Sequence, residues 1–216
     1  MMLSVAIIDD HELVRTGFRL ILGQHADIQV VGEAGDGESG LALLRSLAPQ
    51  VALVDVHMPG VSGIEVTERA RRLKLPTRII IVSMVGEAPF PKRLLEAGAS
   101  GYVTKGCAAN ELIRAVRQVA DGRRYLAPEI AEAMALSALG AAQKSPFEAL
   151  SSRELEVSLA LARGEAMQRI AERLNLSAKT VATYKYRVFE KLGIDNAVTL
   201  AHLAHLYGLI DAPTSA

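Results

Sequence analysis

The sequence of 216 residues predicts an α/β fold, a doubly wound, five-stranded parallel sheet of order 2-1-3-4-5, followed by a small all-α unit of four helices. Three observations predict it. Five short runs rich in Val, Ile and Leu, ending near Asp9, Ala34, Asp55, Ser83 and Thr104, recur in the first half of the chain. Segments of helical spacing lie between them, and no strand-like run follows the joint at Gln143-Lys144-Ser145-Pro146.

The elements follow in order. Ser4-Val5-Ala6-Ile7-Ile8 is a strand that ends in Asp9-Asp10, and the apolar pairs Leu13-Val14, Gly17-Phe18 and Ile21-Leu22 mark the helix after it. A second run closes near Ala34, and Val51-Ala52-Leu53-Val54 closes on Asp55 before the turn Val56-His57-Met58-Pro59-Gly60. Arg78-Ile79-Ile80-Ile81-Val82 ends in Ser83, and Gly101-Tyr102-Val103-Thr104 ends in Lys105. Strands that are nearly all apolar are buried on both faces, which implies a parallel sheet covered by helices on either side. That is the flavodoxin-like arrangement.

Periodicity changes after Asp121-Gly122. The Ala-rich stretch from Pro128 to about Ala142 predicts one helix within a partly helical linker of residues 123–146, between a first domain of 1–122 and a second of 147–216. Ser151, three residues before Glu154, is a capping box that opens a helix closed by Arg163-Gly164. Ile170-Ala171-Glu172-Arg173-Leu174 is a short second helix, and Asn175-Leu176-Ser177 is a tight turn whose serine caps a third, Ala178 to about Leu192, closed by Gly193. Two helices joined by a three-residue turn make a helix-turn-helix. Leu200, Leu203, Ala204 and Tyr207 form a stripe on a last helix, either packed internally or used for dimerisation.

Composition narrows the function. Lys plus Arg equals Asp plus Glu at 24 each, so any nucleic-acid contact must come from local placement rather than bulk charge. One cysteine, Cys107, excludes an internal disulfide framework, and cytoplasmic residence fits, with no basic leader before Asp9-Asp10 and no run long enough to span a membrane. Cys107 would be reactive only if Lys105 depressed its pKa; an inert small residue is the simpler reading.

The chemistry sits at the carboxyl ends of the strands, the crevice where open α/β sheets bind ligands. Asp9, Asp10 and Asp55 would converge there, and three crowded acids call for a hard divalent cation such as Mg²⁺. Ser83 and Lys105 add a hydroxyl and an ammonium. The set describes a phosphoryl site: Asp55 the nucleophile, the cation and Lys105 neutralising the phosphoryl oxygens, Ser83 hydrogen-bonding one of them. Singly, each of these residues is an ordinary strand end or solvated side chain; only their convergence speaks for a site. His11 and the His57 ring read as incidental.

In the second half, Val181, Tyr184, Val188 and Leu192 share the inward face of the third helix, while Lys179, Thr183 and Tyr186, flanked by Ala182 and Arg187, share the outward one. From Lys179 to Lys191 four basic residues (Lys179, Lys185, Arg187, Lys191) meet one acid, Glu190, whereas from Ser145 to Ala216 eight bases meet eight acids. Affinity for double-stranded DNA would come from this patch, the helix lying in a major groove.

Together the two halves resemble the NarL/FixJ-type two-component response regulators, a receiver followed by a LuxR-type helix-turn-helix. The receiver marks are Asp9-Asp10, Asp55 with Met58-Pro59-Gly60 and Gly63, Ser83, and Gly101-Tyr102-Val103-Thr104-Lys105. The output marks are Leu150-Ser-Ser-Arg-Glu154, Ile170-Ala171, Leu176-Ser177, Lys179-Thr180-Val181 and Lys191-Leu192-Gly193. Residues 87–91 and 183–192 look most like the GacA/UvrY subgroup. The resemblance implies a sensor histidine kinase as donor. It implies Mg²⁺ held by Asp10, Asp55 and the backbone carbonyl of His57, with Asp9 acting indirectly, and a coupled switch of Ser83 and Tyr102. It also implies DNA contacts from residues 179, 180, 182, 183 and 185–187, and a homodimer formed on phosphorylation or on DNA through the last helix. One departure is Gly106, where many receivers carry proline after the lysine; Met84 is bulkier than usual. Two other functions compete: an aspartyl-phosphate phosphatase of the HAD type, which needs an acid where His57 stands, and a phosphate-independent interaction domain joined to the same DNA-binding module.

Overall fold

Strand β1 (Leu3–Ile8) pairs in parallel with β2 (Ile28–Ala34) on one side and β3 (Val51–Asp55) on the other; β4 (Arg78–Ser83) and β5 (Gly101–Thr104) continue the sheet beyond β3. The computed structural model describes residues 2–83, 91–128, 130–132, 145–207 and 209–210, without the side chains of 91–93 and 152. These residues fall into two compact units divided within 133–144.

In the first unit, helices α1 (Glu12–Gly23), α2 (Gly37–Leu47), α3 (Gly63–Arg72), α4 (Pro91–Ala97) and α5 (Ala109–Ala120) alternate with the strands. Side chains alternate across a strand, so β1 and β3 send Val5, Ile7 and Leu53 towards Phe18 and Leu22 of α1 and Leu112, Val116 and Val119 of α5. Ala6, Ile8 and Val54, pointing the other way, are equally buried, as are Leu41, Leu44 and Ile64 of α2 and α3. Burial on both faces accounts for the apolar runs. Helix starts are fixed by side chains: Asp36 accepts from Ser39 N at 2.8 Å and Ser62 from Glu65 N at 3.3 Å.

Among the described residues the sheet has six strands, one more than the five expected, in the order β2-β1-β3-β4-β5-β6. Strand β6 (Tyr125–Leu126) lies in what the sequence assigns to a linker. Its backbone satisfies the otherwise open edge of β5, Tyr125 N donating to Ser100 O and Ala127 N to Tyr102 O, both at 3.1 Å. Tyr125 is buried there and its hydroxyl lies 3.3 Å from Glu111 Oε1. Two residues are too few to show a period. Of the helix expected from Pro128 to Ala142, residues 128 and 130–132 are helical and the remainder lies outside the described residues.

In the second unit a 3₁₀ turn (Pro146–Ala149) precedes α6 (Ser152–Ala162), α7 (Met167–Arg173), α8 (Ala178–Leu192) and α9 (Ala197–Leu206). The Ser151–Glu154 capping box and the Ser177 cap are present, and α8 closes on Gly193 in the left-handed conformation. Helix α7 starts three residues earlier than the expected Ile170, since Met167-Gln168-Arg169 has no apolar period to announce it. No helix among the described residues is long and apolar enough to cross a membrane.

Candidate functional site

Four strand ends meet at one place. Register sets Ile8 beside Val54, Asp55 beside Val82 and Ser83 beside Thr104, so Asp9, Asp55, Ser83 and Lys105 emerge together at the carboxyl edge of the sheet. Asp9, Asp55 and Ser83 are almost wholly buried, at 1%, 2% and 0% exposure. Lys105 Nζ stands 2.9 Å from Asp9 Oδ2 and 3.0 Å from Asp55 Oδ2. Backbone bonds shape the loops around them: Lys105 N donates to Ser83 O at 2.7 Å, His11 N to the Asp9 carboxylate at 2.8 Å, and Arg15 Nη1 to Asp9 O at 2.7 Å. Gly106 has open space where a side chain would go, so the departure from proline leaves room beside Lys105.

Glycines let the helices close on this edge. A Cβ on Gly63 would stand 1.9 Å from the Asp55 carbonyl oxygen, and one on Gly37 would stand 2.1 Å from Val61 O. The first explains why a glycine opens α3; the second was not legible, because its neighbour is distant in sequence.

Burial, then the neighbouring Asp9 carboxylate, pushes the Asp55 carboxyl up to about 7; Lys105 opposes the shift and Asp10 adds to it. Burial pulls the Lys105 ammonium down, but its bonds to Asp9 and Asp55 outweigh that and raise it. Asp9 Oδ2, Asp10 Oδ1, Asp55 Oδ2 and Ser83 Oγ are buried without a hydrogen bond of good geometry, although ion contacts reach three of them. Such a set is incomplete by itself. Donor atoms of Asp9, Asp10, His11 and Asp55 all lie within 4.8 Å of one another, so the residues fit a divalent cation. Tyr102 is buried at 1% exposure on β5.

Cys107 is not an activated thiol: burial, followed by the charge of Glu111, pushes it up to about 11.

On α8 the two faces divide as the helical period requires. Val181 and Val188 are fully buried, Tyr184 and Leu192 half-buried, and Lys179, Ala182, Thr183, Tyr186 and Arg187 exposed. Thr180 is half-buried, its hydroxyl 2.8 Å from that of Ser177 in the cap, and Thr183 Oγ1 donates to Lys179 O at 3.0 Å. Lys185 Nζ lies over the Phe189 ring at 5.3 Å. Lys191 differs from the other bases, because its Nζ reaches Glu154 Oε2 at 2.6 Å. It ties α8 to α6 and leaves Lys179, Lys185 and Arg187 as the charge available on the patch. The capping box signalled Glu154; nothing in the spacing signalled its second partner.

Part of the stripe on α9 packs internally. Leu200 and Ala204 are fully buried within one chain, and Tyr207 meets Phe147 edge-on with ring centroids 6.4 Å apart. The apolar atoms of Leu200 and Ala204 belong to the core of this unit, Leu203 and Tyr207 are half-buried, and on this helix Val198 and Leu206 are the exposed large apolar side chains.

Residues 5–117 match the response regulator receiver domain and residues 148–204 the bacterial regulatory proteins of the luxR family. The chain is 46% identical to the response regulator GacA of Pseudomonas aeruginosa over 212 residues, covering 98% of this chain and 99% of that one. It is 44% identical to the response regulator UvrY of Escherichia coli K12 over 214 residues, covering 99% and 98%. Among solved structures, RcsB of Salmonella enterica serovar Typhimurium, bound to promoter P1flhDC with the phosphomimetic BeF3⁻, superposes with a TM-score of 0.69 at 28% identity, covering 94% of this chain and 98% of that one. ChrA, from a heme-sensing two-component system, gives 0.55 at 33% identity, covering 97% and 99%.

Proposed function

The chain belongs to the response regulators that join a receiver domain to a LuxR-family DNA-binding domain, and on that premise we propose that Asp55 accepts a phosphoryl group and thereby controls DNA binding by α8. The observation that carries the reading is the Lys105 ammonium held between Asp9 and Asp55, beside a buried Ser83 hydroxyl without a hydrogen bond.

In the proposed step an Asp55 carboxylate oxygen attacks the phosphorus of a phosphohistidine on a sensor histidine kinase. An O–P bond forms, the N–P bond breaks, and the imidazole leaves with the bonding pair. Lys105 turns its charge from the carboxylates to the new phosphoryl oxygens, and Ser83 Oγ donates to one of them. Asp10, Asp55 and the His57 carbonyl, with Asp9 in support, would hold Mg²⁺, which when bound supplies positive charge against the phosphoryl oxygens. Tyr102 is the aromatic partner of Ser83 in the switch.

The adduct adds roughly two negative charges, and a shift of a few kcal/mol in a two-state equilibrium suffices to release or dimerise the output domain. There Lys179, Lys185 and Arg187 hold phosphates, while Ala182, Thr183 and Tyr186 meet base edges and Thr180 seats the helix start. Residues 1–122 with β6 form the receiver and 147–216 the output domain of a cytoplasmic regulator.

Incubation with Mg²⁺ and a small phosphodonor tests this by intact mass. One stable adduct on Asp55, absent in Asp55→Asn, is expected. Rapid turnover of many equivalents points instead to a phosphatase, and no adduct points to a phosphate-independent interaction domain.

A further inference from the structure

His11 is not incidental. It caps α1 without a side-chain bond to that helix. Its ring turns back over the acids instead, with Nδ1 2.9 Å from Asp10 Oδ1 and 3.3 Å from Asp9 Oδ1. Two ligands at right angles on an ion at about 2.1 Å stand about 3.0 Å apart. The 2.9 Å between the imidazole nitrogen and the Asp10 oxygen is therefore close to the edge of a coordination octahedron. Asp10 Oδ1 is buried with that imidazole nitrogen as its contact, and the donor atoms of Asp9, Asp10, His11 and Asp55 fit within 4.8 Å, room for one ion.

We infer that His11 Nδ1 is a direct ligand of the cation in this cluster, which makes the site a mixed nitrogen and oxygen site. Imidazole suits Co²⁺, Ni²⁺ and Zn²⁺, while Mg²⁺ keeps to oxygen and water. The site thus takes borderline first-row divalent ions more tightly than Mg²⁺, and His11 supplies the difference. The inference rests on the reading of Asp9, Asp10 and Asp55 as a cation cluster.

Co²⁺ alone is the probe, titrated into the full chain and into His11→Ala, with Mg²⁺ titrated separately into each. His11 is exposed, so the variant keeps the fold. The Co²⁺ that excess Mg²⁺ displaces belongs to this site, apart from any held by the surface histidines. The wild type shows one hyperfine-shifted imidazole N–H signal in that displaceable fraction. His11→Ala loses the signal and at least about tenfold in Co²⁺ affinity, with a far smaller change for Mg²⁺. A signal that persists in the variant, or equal changes for both metals, overturns the inference while leaving the cluster in place. Failure of the wild type to bind Mg²⁺ overturns the cluster itself.

Discussion

Gly63→Ala puts the link between fold and chemistry to a direct test. The added Cβ would stand 1.9 Å from the Asp55 carbonyl oxygen, 2.8 Å from its carbonyl carbon and 3.1 Å from Val54 Cγ1. Both nearest atoms are backbone and cannot swing aside. Since a Cβ stays at least about 3.0 Å from such atoms, α3 and the Asp55 turn must part by more than about 1 Å. Overpacking of this kind costs about 1–3 kcal/mol, which for a domain of this size lowers the melting temperature by roughly 5–15 °C. Displacing Asp55, the proposed phosphoryl acceptor, by about 1 Å costs on the order of 100-fold in rate. Thermal melts followed by circular dichroism read the first effect, and intact mass against time with a small phosphodonor reads the second. Gly17→Ala is the control: it lies within α1 with nothing within 4 Å of its Cβ, so it leaves stability equal or higher. A Gly63→Ala protein that melts and is phosphorylated like the wild type would show that the close approach of α3 to the Asp55 turn does not hold Asp55 in place.

Other perturbations have equally definite outcomes. Asp55→Asn abolishes phosphorylation and removes a buried charge facing Asp9 and Asp10, so its melting temperature without Mg²⁺ equals or exceeds that of the wild type near neutral pH. The wild type without Mg²⁺ loses stability as pH rises from the ordinary carboxylate range to about 7: native Asp55 keeps its proton up to about 7, whereas the unfolded chain has lost it near 3.8. Mg²⁺ needs the ionised carboxylates, so the stabilisation it brings grows over the same window; melts with chelator and with Mg²⁺ across that range check both signs. Glu154→Ala removes the side-chain half of the capping box and the Lys191 pair together, while Ser151 Oγ still caps the residue 154 N–H, costing about 1–3 kcal/mol in the denaturation of the output domain. Lys179→Ala weakens binding to all DNA and lowers the salt slope by about one, whereas Thr183→Ala changes sequence preference in selected pools; an unaltered preference removes Thr183 from the reading face.

The sheet and the convergence of its strand-end residues were legible because they rest on local patterns. Buried parallel strands are runs of Val, Ile and Leu, and chemistry at their carboxyl ends falls on the next residue, which is how Asp9, Asp55, Ser83 and Lys105 are found without coordinates. Serine caps and a three-residue turn mark α6 to α8 in the same way. What escaped depends on partners distant in the chain. β6 is too short for a period and exists only because the edge of β5 is open. Lys191 looks like a DNA contact until Glu154, 37 residues away, is seen to hold it. The apolar stripe of α9 reads alike whether it faces its own core or a second chain, and burial shows that Leu200 and Ala204 belong to the core.

Control of the grip of α8 on DNA by Asp55 is the proposed step most open to measurement. Its most direct test is the affinity for a DNA fragment selected by the phosphorylated protein, measured with and without phosphodonor at fixed salt in wild type and Asp55→Asn. Binding tightens by about 5- to 150-fold in the wild type, the span of ordinary coupling energies, and does not change in the variant. Equal affinity with and without the donor, on protein whose mass shows the Asp55 adduct, would contradict it.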